Sequence, residues 1–266
     1  NKRIELPVVV NPYIFVRRAY IDIAGRVPTY EEWKTFTRRP DRKKLIADLQ
    51  DSKGYTESMF NFYADLLRIK RRLSNNIDGD TYISWVRQEI ENNTPYDEFI
   101  KKILTAKGNI WENPEVGYFL RDEGMLLDNV SNTFQAFAGM NISCAQCHDH
   151  PFDDWTQMDY YNMTAFFTQL NTRGDKEDRK EFQRLRKEAE ELDKSGKQKG
   201  STNRIGQFYR HGYQHTIVQD QDKKLKLPDD YKYRDAEPGE VVKAETAVGD
   251  RVKEKRKREG LRESFA

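Results

Sequence analysis

The sequence predicts a mainly α-helical fold that gives way, toward its C-terminus, to an irregular part with short extended pieces. Two observations carry this expectation. From residue 11 to about residue 172, apolar residues recur every three or four positions, and most such runs begin behind a residue type that caps helices. Beyond about residue 205, turn formers replace that spacing. With 36% hydrophobic, 34% charged and 12% aromatic residues, the 266-residue chain has enough apolar material for a core beneath a strongly ionic surface.

The first helix opens at Asn11 and Pro12, carries Phe15, Ala19 and Ile23 on one face, and closes at Gly25. Thr29 and Glu32 form a capping-box pattern ahead of Trp33 and Phe36. Asp41 caps a helix with Leu45, Ile46 and Leu49, and Gly54 lies beyond its end. Phe60, Tyr63, Ala64 and Leu67 keep helical spacing until "RIKRRLSNNIDGD" breaks it as a loop. The pattern resumes at Trp85, Val86 and Ile90, and again after Thr94, Pro95 and Asp97 through Phe99, Ile103 and Leu104 to Gly108. A helix around Met125 to Ala138 is apolar at Leu126, Val130, Phe134 and Phe137 and runs to Gly139. Thr156 and Asp159 announce a last aromatic helix with Tyr160, Phe166, Phe167 and Leu170.

At Arg173 the character changes. Of the 27 residues to Lys199, 18 are charged, so the narrow stripe of Phe182, Leu185, Ala189 and Leu192 predicts a mostly solvated helix, a candidate clamp on a partner. "KSGKQKGSTNR" reads as a flexible linker by composition. "HTIVQ" reads as extended, "LPDDYKYRDAEPGEVV" has too many turn formers for a helix, and the closing "RVKEKRKREGLRESFA" has helical character with a solvated basic face. The expected organisation is therefore a helical domain over 1–172, a charged helical insertion or linker over 173–204, and an irregular segment over 205–266 that packs back on the domain.

Composition narrows the partners. Forty-six basic residues face 44 acidic ones, and a formal charge of +2 gives no field that would draw the chain to nucleic acid. No apolar run approaches the roughly 20 residues of a membrane span. The opening "NKRIELPVVV" lacks the apolar core of a signal peptide, so the chain is expected to be cytosolic or already trimmed. Its two cysteines are separated by two residues; a bridge between them would close a tiny loop and constrain little.

Cys144, Cys147 and His148 instead spell C-x-x-C-H, the pattern of covalent c-type haem attachment. Two thiols three positions apart match the two vinyl groups on one porphyrin edge, and the next residue then supplies the proximal axial ligand to iron. Other readings stay open from the local pattern. CxxC also serves redox pairs, although the alternation of strands and helices that such folds need is missing. A zinc site would need Cys144, Cys147, His148 and a distant His211 or His215.

The stretch "CAQCHDHPFDDWTQMDYYNMTAFF" resembles the signature of the planctomycete-type cytochrome domain called DUF1549 or PSCyt2, found in large exported proteins of Planctomycetes and related bacteria. "FVRRAYIDIAGRVPTYEEW" resembles that family's opening helix and turn, and "LPDDYKYRDAEPGEVV" a segment near its end. The resemblance implies a multi-helix, c-type cytochrome-like domain with one covalent haem c, placed in the periplasm or otherwise outside the cytoplasm. It also implies a downstream DUF1553 (PSD1) domain and a redox partner protein. The charged stretch from Arg173 to about Arg204 matches nothing in the family.

On the far side of a haem, His215 is the favoured distal candidate because it borders the apolar "TIV" segment; His211, Met140, Met158 and Met163 are alternatives. His150 lies too close to His148 to ligate the same iron from the opposite side. It is expected to bond a haem propionate, one of Asp149, Asp153 and Asp154, or the local backbone. Those aspartates suit a turn as well as a metal, and Trp155, Tyr160, Tyr161, Phe166 and Phe167 suit a plain core as well as a haem face. The expected work is electron transfer. The alternatives are a haem domain serving an oxidoreductase or peroxide-active enzyme, and a zinc-stabilised interaction module without haem.

Overall fold

The computed structural model describes residues 9–73, 77–122, 124–172, 176–196, 199–209, 217–245, 262 and 265. Among them are eleven α-helices and three short strands, so the mainly helical expectation holds. The chain divides into two compact units, Asn1–Arg68 with Val86–Asn93, and Ile69–Trp85 with Thr94–Ala266.

In the first unit, four helices follow one another: α1 (Pro12–Ala24), α2 (Tyr30–Arg38), α3 (Arg42–Gln50) and α4 (Lys53–Leu66). Their starts are where the caps predict. Asn11 accepts the Tyr13 N–H, Asp41 accepts the Lys44 N–H, and Thr29 and Glu32 exchange both capping-box bonds. Gly25 closes α1. The apolar stripes meet in a core of Val16, Ala19, Tyr20, Ala24, Phe36 and Leu49, with Phe15, Ile23, Trp33 and Leu45 packed on it. Arg26 grips Glu32 at 2.7 and 2.9 Å, and this bond, with the Thr29 N–H, holds the Glu32 carboxyl down at about 2. α4 starts earlier than its apolar spacing suggests, because Ser52 caps it by accepting the Tyr55 N–H; Gly54 therefore sits in its first turn.

The helix α5 (Asp80–Glu91) begins in the second unit and ends in the first. α6 (Tyr96–Thr105) buries Phe99, Ile103 and Leu104 as its spacing predicts. The stretch that follows carries no strong sequence signal, yet it holds β1 (Gly108–Asn109), a 3₁₀ turn (Pro114–Val116) and α7 (Gly117–Leu120). Gly117 is required there by close approach, since a Cβ would meet the Tyr82 side chain at 2.6 Å. α8 (Leu126–Thr133) continues into a widened π turn (Phe134–Ala138).

α9 (Gln157–Ala165) starts at the Thr156–Asp159 capping box but is shorter than expected. Leu170 belongs to β2 (Leu170–Asn171), because β3 (Ile217–Asp220) pairs antiparallel with it and with β1, giving the order β1-β3-β2. The charged run forms α10 (Lys176–Lys194), and the residues expected as a flexible linker enter α11 (Ser201–Tyr209) instead. The cause is a cap from the preceding helix: Asp193 accepts the Ser201 and Thr202 N–H groups and the Thr202 hydroxyl, and Phe182 stacks on Tyr209 at 4.0 Å.

Near the C-terminus, Arg262 is 1% exposed and bonds Asp220 and the carbonyls of Leu104 and Ala106. Phe265 packs against Phe134, Phe166 and Phe167 at 5.3–5.6 Å.

Candidate functional site

The C-x-x-C-H residues lie on a short turn suspended between α8 and α9. Behind it, the end of α8 is fixed by a buried polar network. Arg121 makes two bonds to Asp122 at 2.7 and 3.0 Å, and Asn129 donates to the same carboxylate at 2.8 Å. The Thr133 hydroxyl donates to the Asn129 carbonyl, so the bond between Tyr118 and Thr133 runs from the tyrosine to the threonine. The π turn then ends at Gly139, whose φ of +67° is the left-handed conformation that glycine adopts without strain.

A 3₁₀ turn (Ser143–Gln146) follows. In such a turn residues three apart eclipse one another. Ile142, just before it, and Ala145 within it are both fully buried and face inward, while Cys144 lies within the turn and Cys147 just after it. Cys144 is half-buried, Cys147 is exposed, and both thiols are free. His148 is exposed beside them, its N–H closing the turn on the Cys144 carbonyl at 3.4 Å. Its Nδ1 lies 2.6 Å from the Asp149 carbonyl. A carbonyl only accepts, so Nδ1 carries the hydrogen; in the neutral ring Nε2 is then the acceptor, with no hydrogen-bond partner among the described residues.

The turn is tied down by backbone-directed bonds. Gln157, 3% exposed at the start of α9, donates from its side chain to the Gln146 carbonyl at 3.1 Å and from its N–H to the Asp149 carboxylate at 2.9 Å. The Asp149 N–H donates to the Tyr233 hydroxyl at 2.7 Å. His150 is satisfied by the loop itself, donating its N–H to the Trp155 carbonyl at 2.7 Å and accepting the Phe152 N–H at 3.3 Å. Asp153 accepts the Asp154 N–H. The aspartates thus act as turn formers, and among the described residues no three His, Cys, Asp or Glu side chains converge as a metal cage.

Aromatic residues of α9 lie under the turn. Tyr160 is fully buried and donates to the Leu127 carbonyl, and burial pushes its hydroxyl up to about 12. Burial also raises the Tyr161 hydroxyl, with the Cys147 thiol and Asp230 adding to the effect. Met163 is 2% exposed and belongs to the core; Met140 and Met158 are half-buried. His211 and His215 lie outside the described residues.

Sequence reasoning singled out the thiols and His148 but not Gln157 or Tyr233. Tyr233 comes from the turn-rich segment after β3, which forms a looped strap over residues 225–242. Its ends are joined by the Leu227 N–H to the Glu240 carbonyl and the Val242 N–H to the Leu225 carbonyl, both at 2.9 Å. Inside it, Tyr231 donates to Asp235 and packs edge-on against Tyr233 at 5.6 Å.

The donor set fits a covalently attached haem. Two free thiols lie three positions apart, one within a turn and one just after it, and the adjacent imidazole keeps Nε2 open while Nδ1–H is bound to a backbone carbonyl, the arrangement that orients a metal-ligating histidine. Among known protein families, the model of PSCyt2, a protein of unknown function (DUF1549), matches residues 1–172. No curated protein and no solved structure matches the chain. The chain belongs to the PSCyt2 (DUF1549) family.

Proposed function

We propose that this chain is a c-type haem-binding domain of an exported protein, working in electron transfer. The observation that supports it best is the open turn: two free thiols three positions apart, one of them exposed, followed by an exposed His148 whose Nδ1 bonds a backbone carbonyl. In this reading Cys144 and Cys147 hold the haem through thioether bonds and His148 ligates its iron. When bound, the group supplies a one-electron couple whose potential follows from axial ligands and burial.

The chain's own residues do the positioning. Ile142 and Ala145 anchor the turn, Asp149 orients the imidazole, and Gln157 ties the turn to α9. Tyr161, buried in α9, lies near enough to the Cys147 thiol to feel its charge, and Tyr160 beside it is part of the buried core. With the haem held there, the partner in electron exchange would be a redox partner protein or a DUF1553-type domain of the same polypeptide. Among the described residues no helix is long and apolar enough to cross a membrane.

The test is to direct the protein to the periplasm of a bacterium that attaches haem to exported proteins, then to record oxidised and reduced absorption spectra with an alkaline pyridine haemochrome. A c-type haemochrome in wild type that is lost in the C144A/C147A double variant is the expected result. A colourless wild-type protein from that host contradicts the proposal.

A further inference from the structure

We infer that Tyr233 is a positioning residue for His148, so that the strap over residues 225–242 is a working part of the site although it lies beyond the family match over residues 1–172. The imidazole bonds to one atom, the Asp149 carbonyl oxygen. Where that oxygen points depends on the two peptide groups that flank the Asp149 Cα. The peptide on its N-terminal side is fixed by the Asp149 N–H bond to the Tyr233 hydroxyl at 2.7 Å. The peptide on its C-terminal side, which contains the carbonyl itself, is fixed by the His150 N–H bond to the Trp155 carbonyl at 2.7 Å. The Asp149 side chain is held in turn by the Gln157 N–H at 2.9 Å.

Three of these four bonds are local to the loop, joining residues no more than eight apart. Tyr233 alone reaches in from far along the chain, 84 residues away. A hydroxyl oxygen is the only part of that side chain able to accept the Asp149 N–H, so removing one oxygen removes the tether and leaves the ring in place. The strap closes on itself through Leu227, Glu240, Leu225 and Val242, none of which needs the Tyr233 hydroxyl. The consequence for His148 is a choice of tautomer. With the Asp149 carbonyl held toward it, Nδ1–H is favoured and Nε2 stays bare; with the residue released, the ring returns toward the mixture of both forms that it has in water.

The inference rests on the haem-attachment reading for what the bare Nε2 is for, but its test does not. The 266-residue protein, free of haem and with its thiols kept reduced, is labelled with nitrogen-15, and long-range proton–nitrogen NMR spectra report which ring nitrogen of His148 carries the hydrogen when the ring is neutral. Wild type is expected in the Nδ1–H form, and Tyr233→Phe is expected to lower the ratio of Nδ1–H to Nε2–H about fivefold, the effect of losing one ordinary hydrogen bond. Tyr231→Phe removes the neighbouring hydroxyl, which bonds Asp235 instead, and is expected to leave the ratio unchanged. Circular dichroism melts confirm that each variant is folded. Equal ratios in wild type and Tyr233→Phe overturn the inference, as does a wild-type His148 found mainly as Nε2–H. Failure of haem attachment would appear in the absorption spectrum of the exported protein and leave these ratios as they are.

Discussion

In the first unit, Val16, Ala19, Phe36 and Leu49 bury apolar side chains to hold α1, α2 and α3 together, whereas the Cys144–His148 turn rests on Ile142 and Ala145 and is otherwise shaped by hydrogen bonds that Asp149, His150, Gln157 and Tyr233 make. The two regions separate stability from chemistry. Side chains that hold the first unit are hidden and chemically inert. Cys147 and His148 are exposed. Loss of a core side chain should therefore cost stability and leave the turn's chemistry alone. Loss of a turn-shaping bond should cost less stability than that and should change the turn's chemistry.

The hardest challenge to that separation comes from Arg121, where polar groups are both buried and essential. Arg121→Met leaves the Asp122 carboxylate buried without its ion pair, and urea unfolding should show a loss of about 3–5 kcal/mol. A loss near zero would mean that the pair is not what fixes the end of α8. In the first unit, Phe36→Ala should cost about 3 kcal/mol by the same measurement. The rate at which Cys147 reacts with a thiol reagent in the folded protein should stay at its wild-type value.

Gln157→Ala acts on the turn. It leaves the Gln146 carbonyl without its side-chain donor, costs about 1.5 kcal/mol, and should speed modification of Cys144 as the turn loosens. An unchanged rate would show that Ile142 and Ala145 suffice to hold the thiols.

The smallest effect is a pH dependence. The Glu32 carboxyl is held at about 2 by Arg26, below its unfolded value of 4.5, so its contribution is complete above pH 4.5 and is lost as pH falls through about 2. Because Arg26 and Glu32 are partly exposed, solvent screening reduces that contribution to about 1 kcal/mol. Glu32→Gln should flatten this part of the acid-unfolding profile.

How much of this was legible in the sequence follows the range of the interactions. Caps act within three residues, and Asn11, Thr29 with Glu32, Asp41, and Thr156 with Asp159 all form as their spacing predicts. Apolar periodicity marked Ala19, Phe36 and Leu49 of the first unit's core, but it chose Phe15 and Ile23, which are only partly buried, over Val16 and Tyr20. The misread elements depend on partners farther off. Leu170 lies in a strand because Asp220 pairs with it, and Ser201 starts a helix because Asp193 caps it across a turn. The C-x-x-C-H motif marked the thiols and His148 directly. The tether on Asp149 was hidden because Tyr233 lies 84 residues away, in a segment whose composition announces turns but not where they dock.

The central claim is that Cys144 and Cys147 attach a haem that His148 ligates. Its most direct test is the intact mass of the exported, purified protein, followed by the mass of the peptide that carries both cysteines. The account predicts a mass raised by one haem and an increment that stays with that peptide after denaturation. A wild-type protein of unmodified mass, from a host that attaches haem to a control cytochrome in the same culture, would contradict it.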